Sequence, residues 1–340
     1  MSAEHEKPSI QTILYIRVRK NPIVRLFIWF HGMANSIVFH SDQRRRTVKG
    51  KGYNDHVYYV LRGDLVGIGS MAGLFALYYS FGGIAYAALK KDQIPYADFE
   101  RYPCQYSVDR EINGTKNAWE YYFEQPFTPP EGGYEAYTGK KIILSGWQLR
   151  RSKKDRQLEQ EWYNMPRQER KAFFQTYLPV KNYIQEEVQK IYREQFEGNN
   201  VLGVFMRGTD YVARKPLWHK VQPTPEQVKR KIDEFLAAYK IDKIFLVTED
   251  WNNYQYIKSF YGDRVFCSDY EFVNFDAKKD KWVKDAFHDD PYERGKRYLI
   301  RIMLLSMCKY YVGGQGANGS RYALDFGNFD AEYTFDLGSY

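Results

Sequence analysis

The stretch Val201-Leu202-Gly203-Val204-Phe205-Met206-Arg207-Gly208-Thr209-Asp210-Tyr211 decides the fold. Val201 to Met206 form an apolar, strand-like run. An arginine, a glycine, a hydroxyl and a carboxylate follow without transition. Open α/β sheets present ligands at the carboxyl ends of buried strands, so Arg207 would stand at such an end. Its planar fork suits phosphate oxygens in a way that a lysine does not. Gly208 allows a turn or a close approach to a ligand. A strand capped by a solvated Arg–Asp pair is the competing reading.

Outward from this stretch the C-terminal half is regular. Thr224-Pro225-Glu226-Gln227 carries a cap, a proline at the first helical position and an acid in the first turn. The helix it starts is expected to run to about Tyr239. Lys243 to Thr248 is the next strand and ends in Glu249-Asp250. A helix from about Asn252 to Tyr261 and a short strand Arg264 to Cys267 follow. Residues 269–296 read as a long polar loop. Arg297 to Cys308 reads as a buried helix, Tyr310 to Gly314 as a strand, and Ser320 to Phe326 as a helix start. Alternating strands and helices predict a parallel, doubly wound sheet. Three loops would then emerge on one edge: Arg207 to Asp210, Glu249-Asp250, and Gln315 to Arg321. Together they could surround a nucleotide. Arg207 and the N–H groups of the last helix start, around Asn318, Ser320 and Arg321, would hold a pyrophosphate. A carboxylate would take a base or ribose hydroxyl.

The chain has 340 residues, enough for two domains with separate cores. With 31 Tyr and 22 Phe it is unusually aromatic, which suits either sugar-binding surfaces or an aromatic core. Of the net charge of +8, residues 1–56 hold ten Lys/Arg against four Asp/Glu, so the basic balance belongs to the N-terminal segment. That distribution argues against a nucleic-acid-binding face on the body of the protein. Cys104, Cys267 and Cys308 are odd in number and far apart, which fits buried thiols in a reducing compartment and neither a disulfide framework nor a zinc site.

Residues 1–52 form a basic, aromatic leader. Ile23 to Phe39 is only about 17 residues long and contains Arg25, His31 and Asn35, so it is marginal as a membrane span. With Arg44-Arg45-Arg46 it could instead lie on an anionic membrane surface; a strand and helix packed on the body is the alternative. Residues 53–197 read as an N-terminal Rossmann-like domain and 198–340 as the C-terminal one, with Gly198-Asn199-Asn200 at the boundary. Val57 to Leu61, Ile94 to Phe99 and Lys141 to Trp147 read as strands, and Met71 to Leu89 as a helix rich in small residues. Gly67-Ile68-Gly69-Ser70 is read as a tight turn, because the full dinucleotide fingerprint is missing. Trp119, Glu120 and Glu124 lie in an aromatic block that could bind an acceptor sugar or build core. Arg150 to Gln195 is charged and then helical.

The C-terminal pattern resembles the fucosyltransferase superfamily that includes the α-1,6-fucosyltransferases, the nodulation fucosyltransferases and the protein O-fucosyltransferases. The resemblance covers residues 201–326. It rests on Val204-Phe205-Met206-Arg207-Gly208-Thr209-Asp210, on Leu246-Val247-Thr248-Glu249-Asp250, and on Leu304 to Gly314 leading to Ser320-Arg321-Tyr322-Ala323. It implies a GT-B fold, two Rossmann-like domains facing across a cleft, and an inverting glycosyltransferase needing no metal or other cofactor. The donor would be a nucleotide-sugar, GDP-fucose. Arg207 would match the family arginine on the donor β-phosphate, with Gly208 and His219 beside the nucleotide and Asp250 touching the donor. Gly208 stands where the family has a second arginine, Arg301 where it often has an aspartate that reads guanine, and Ala317 and Asn318 where it has serines.

Inverting transfer needs a base within hydrogen-bond reach of the acceptor hydroxyl. Asp210 and Glu249, or Glu120 and Glu124 from the facing domain, are the candidates; Asp210 could equally orient Arg207, and His219 and His288 are further candidates that also read as structural residues or hydrogen-bond donors. His288-Asp289-Asp290 is read as a solvated turn, not as a metal cluster. The expected acceptor is a glycan or lipid-linked oligosaccharide, at the cytoplasmic face of the inner membrane. A degenerate GT-B glycan-binding scaffold and a Rossmann oxidoreductase using Gly67-Ile68-Gly69 are the alternatives.

Overall fold

The structure is a computed structural model describing residues 22, 46–48, 57–65, 72–128, 133, 141–145, 153–215, 219–268, 272–276, 278–280 and 283–340. Two sheets organise it. The first is four-stranded. It orders β1 (Arg46–Val48), β4 (Lys141–Leu144), β2 (Val57–Arg62) and β3 (Ile94–Asp98) side by side. β2 pairs in parallel with β3 and β4, and β1 is antiparallel to β4. Most of the basic leader lies outside the described residues, but its stretch 46–48 adds an edge strand to this sheet. The Gly67-Ile68-Gly69-Ser70 turn also lies outside them.

Helix α1 (Leu74–Leu89) connects β2 to β3. Its mean composition is apolar because it is buried between layers. Gly82 faces Trp162 and Phe174 so closely that a Cβ would lie 2.6 Å from the indole ring. Those two rings come from α2 (Lys153–Asn164) and α3 (Arg167–Tyr177), which precede α4 (Asn182–Gln195). The described part of the charged stretch, 153–195, thus folds as three helices, each amphipathic. Ile184 and Val188 supply the buried face of α4.

The second sheet is five-stranded and wholly parallel. Its order is β7 (Val265–Phe266), β6 (Lys243–Val247), β5 (Val201–Phe205), β8 (Tyr310–Gly314) and β9 (Ala331–Phe335). Chain order runs outward in both directions from β5, so a topological switch point lies between β5 and β8. Every residue of β5 and β8 is buried, as expected of central strands covered on both faces. Short α5 (Thr209–Arg214), then α6 (Pro225–Ala238), α7 (Trp251–Tyr261), α8 (Pro291–Ser306) and α9 (Asn318–Phe326) make the connections. The start of α6 has the expected Thr224 cap, which Gln227 completes as a capping box. Gly203 in β5 admits α8 closely, since a Cβ there would lie 2.6 Å from Leu305.

Between the sheets runs an aromatic core. Tyr78 stacks on Phe174 with ring centroids 4.2 Å apart, and Tyr322 stacks on Phe326 at 4.1 Å. Part of the tyrosine excess goes into this core, where buried phenols find polar partners: Tyr78 donates to the Leu178 carbonyl and Tyr122 to the Tyr292 carbonyl. The helices of the charged stretch pack on C-terminal elements, α3 on α9 and α4 on α8.

Candidate active site

β5 ends at Phe205, and Met206 still bonds to β6 through the Val247 carbonyl. Arg207 is the first residue released, and three neighbours hold its side chain. Its Nη2 donates to Asp210 Oδ1 at 3.2 Å, Glu249 Oε1 lies 3.6 Å from its Nε, and its guanidinium sits over the Tyr211 ring at 4.5 Å. Burial opposes its charge, but Glu249 and Asp210 outweigh burial and raise its pKa above the ordinary arginine value. It is a fixed cation at every accessible pH. Its Nε is buried and has no hydrogen-bond partner among the described residues. Held this way, the guanidinium needs little reordering to meet an anion.

The two carboxylates proposed as bases are both engaged. Asp210 is buried, accepts from Arg207, and takes the Val283 N–H on its other oxygen at 3.3 Å. Glu249 Oε1 accepts from the Gly208 N–H at 3.2 Å and from Thr209 Oγ1 at 2.9 Å. In this arrangement they orient Arg207. Asp250 caps α7, accepting from the Asn252 and Asn253 N–H groups, and also takes the Thr209 N–H at 3.3 Å. Gly208 has no room for the arginine of the family pattern: a Cβ would come within 2.6 Å of Asp250 Oδ2 and 2.8 Å of Asn253 Nδ2.

His219 is exposed and meets Tyr211 edge to face at 5.0 Å, so it continues the line from Arg207 outward. Burial lowers its pKa, and Arg207 does too, against an opposing pull from Asp210. At the β8–α9 turn, Ala317 gives α9 no side-chain cap. The first N–H groups of the helix there, from Asn318 on, favour an anion. The Ser320 side chain does not join them. Its hydroxyl is buried, lies 2.6 Å from the Tyr311 hydroxyl and donates to the Gly314 carbonyl, so it pins helix to strand. Arg321 lies over the Tyr79 ring at 4.3 Å, at the seam between the two sheets.

The acceptor residues need correction. Trp119 is 1% exposed and lies within the aromatic core, its indole N–H bonded to the Glu124 carbonyl; it has no ring face to offer a sugar. Glu120 is surrounded by Thr115, Asn117 and Gln125, all within hydrogen-bond distance, and braces a loop. Glu124 is more open, with Lys181 at 2.6 Å. Asp289 pairs with Arg294 and Arg297, and Asp290 caps α8, so both have partners of their own. No group of three His, Cys, Asp or Glu gathers as a metal site among the described residues. The sequence reading left out Thr209 and Tyr211. An aromatic residue four positions after Arg207, in reach of a cation–π contact, was the available signal for Tyr211.

A parallel sheet with an anion-suited arginine beside its switch point, facing a second α/β layer, defines the class of fold, GT-B. Residues 161–321 match the family described as Nodulation protein Z (NodZ). The fold is similar to that of NodZ α-1,6-fucosyltransferase soaked with GDP-fucose, with a TM-score of 0.52 and 16% identity over 84% of this chain and 96% of that one. The selenomethionine form of fucosyltransferase NodZ from Bradyrhizobium gives 0.50 and 15% over the same shares. POFUT1 in complex with GDP gives 0.50 and 10% over 84% of this chain and 99% of that one. No curated protein sequence matches. The likeness to these solved structures shows a shared fold, and the family match extends over 161–321, the stretch that includes Arg207.

Proposed function

We propose that the protein transfers fucose from GDP-fucose to a hydroxyl of a glycan or lipid-linked oligosaccharide, with inversion and without a divalent metal. Residues 198–340 would bind the donor and residues 53–197 face the acceptor. The observation that carries this reading is Arg207, held by Asp210, Glu249 and Tyr211 at the end of the central strand. A leaving GDP gathers negative charge on its β-phosphate, and a cation already in place stabilises that charge. The match to the nodulation family includes this strand, and the structural neighbours were studied with GDP or GDP-fucose. No helix among the described residues is long and apolar enough to cross a membrane; the basic segment 1–52 would bring the enzyme to the inner face of the membrane.

A second reading, a nucleotide-binding scaffold without turnover, draws on one observation. Asp210 and Glu249 are both occupied with the Arg207 loop, so neither is free to take the acceptor proton. Glu124, on the facing half, is the remaining carboxylate candidate.

The test is thermal stabilisation by GDP, UDP, dTDP, ADP and CMP with and without magnesium. A ligand at 100 times its dissociation constant stabilises by about 2.7 kcal/mol. A GDP-selective, magnesium-independent shift that disappears in Arg207→Ala is expected. A shift by another nucleotide changes the donor, and no shift at all overturns the donor site. GDP binding without transfer or hydrolysis of GDP-fucose selects the scaffold.

A further inference from the structure

Tyr298 stands on α8, with its ring against Phe75 of α1, edge to face at 5.3 Å. The ring is therefore fixed from the opposite layer. Its hydroxyl reaches the first turn of α9, where a Cβ on Gly319 would lie 2.5 Å from it. That turn carries glycine where the phenol arrives. Other phenols near it are bonded: Tyr79 to Asp325, Tyr106 to the Leu74 N–H, Tyr311 to Ser320. Among the described residues the Tyr298 hydroxyl makes no hydrogen bond. The α9 turn it reaches follows β8, the strand paired with β5 at whose end Arg207 stands, and the Arg301 guanidinium lies 5.7 Å from its ring. Burial raises its pKa, which keeps the proton on and leaves the hydroxyl a donor at neutral pH.

We infer that the Tyr298 hydroxyl donates to the diphosphate of the bound nucleotide, completing a cradle whose other members are Arg207 and the first turn of α9. The inference rests on the nucleotide reading above and extends it to a residue outside the loops at the strand ends. A phenol supplies a directional donor without adding charge, so it fixes the diphosphate's orientation beside Arg207, which supplies the charge. The glycine at 319 is then a requirement of the site, because it allows the hydroxyl to lie against the helix start.

The test is calorimetric titration of wild type, Tyr298→Phe and Gly319→Ala with GDP and with guanosine. Tyr298→Phe keeps the ring and its Phe75 contact. It is expected to weaken GDP binding by about tenfold or more, the size of a hydrogen bond to a charged group. Guanosine binding and melting temperature should be unchanged, which a merely structural hydroxyl would not predict. Gly319→Ala should weaken GDP in the same selective way by displacing the hydroxyl. Equal GDP affinity in wild type and Tyr298→Phe overturns the inference and leaves the nucleotide site standing. Loss of GDP and guanosine binding in parallel also overturns it, since the phosphate would not be what Tyr298 reads. Absence of GDP binding by the wild type overturns the nucleotide reading and this inference with it.

Discussion

Thr209 Oγ1 donates to Glu249 Oε1 at 2.9 Å, tying the loop after β5 to the loop after β6. Thr209 does this from a left-handed backbone conformation, φ 52°, which a β-branched residue seldom adopts. Such a conformation costs on the order of 1–3 kcal/mol and persists only where the surroundings enforce it. Here the Thr209 N–H bond to Asp250 and the hydroxyl bond to Glu249 do so. The strained residue is thus the clip that brings the two acidic loops around Arg207. Thr209→Val removes the hydroxyl and keeps the shape. It should lower stability by about 1.5–3 kcal/mol, the range for a hydrogen bond to a charged group, and weaken GDP binding by loosening Arg207. Urea denaturation and a GDP titration measure the two effects. A variant with wild-type values in both would show that the clip is dispensable.

Gly208→Ala tests why the second arginine of the family pattern is missing. An added Cβ meets Asp250 and the Asn253 side chain at 2.6–2.8 Å. Asp250 cannot move away freely, because it caps α7. Overpacking of this kind typically costs about 1–3 kcal/mol. Equilibrium unfolding should show that loss, and Gly208→Arg should show more. A stable Gly208→Arg protein would mean that the loop can open to admit the family arginine.

Asp290 sets an acid-side dependence. Its hydrogen bond from Arg110 at 2.7 Å holds the carboxyl below the usual aspartate range, and the Glu293 N–H at the start of α8 adds to this. Because the folded pKa is depressed, the contribution is complete above the unfolded value, about 3.9, and is lost as pH falls through the folded pKa. Stability should therefore fall on acidification below about pH 4 by less in Asp290→Asn than in wild type. Melting temperatures of both proteins from pH 6 to pH 3 decide it, and parallel curves would remove Asp290 from the acid response.

The C-terminal sheet was legible because its strands are continuous apolar runs that end abruptly in charge. β5, β6 and β8 fall within one residue of their expected ranges. β9 was not legible, since Ala331-Glu332-Tyr333-Thr334-Phe335 alternates as an edge strand does and lacks the run of a buried one. Helix α8 starts at Pro291, six residues before the expected Arg297. Its first two turns are dominated by Glu293, Arg294, Lys296 and Arg297, so apolar periodicity is masked there. The signal was present as a cap, Asp290 followed by Pro291 and Glu293. Arg207 could be found from sequence because its chemistry is local to a strand end. The burial of Trp119, the engagement of Ser320 and the reach of Tyr298 to Gly319 depend on elements far apart in the chain, and no spacing encodes them.

Arg170 on α3 and Asp325 on α9 form a bidentate pair, 2.6 and 2.8 Å, with side chains only 8% and 2% exposed. Tyr79 of α1 adds a hydrogen bond to Asp325 at 2.6 Å. Three helices from both sides of the seam therefore share one carboxylate. Deleting one partner of a buried pair leaves an unpaired charge out of water, which costs about 3–5 kcal/mol, while replacing both with apolar residues can be nearly neutral. Arg170→Ala should show the large loss, and Tyr79→Phe a smaller one of about 1.5–3 kcal/mol. Arg170→Met with Asp325→Leu should recover much of the stability of Arg170→Ala. Because α9 also carries the turn that begins at Asn318, the double variant separates two roles. If the bridge serves only stability, GDP affinity returns with the melting temperature. If it fixes the angle at which α9 meets the donor site, stability returns and affinity does not.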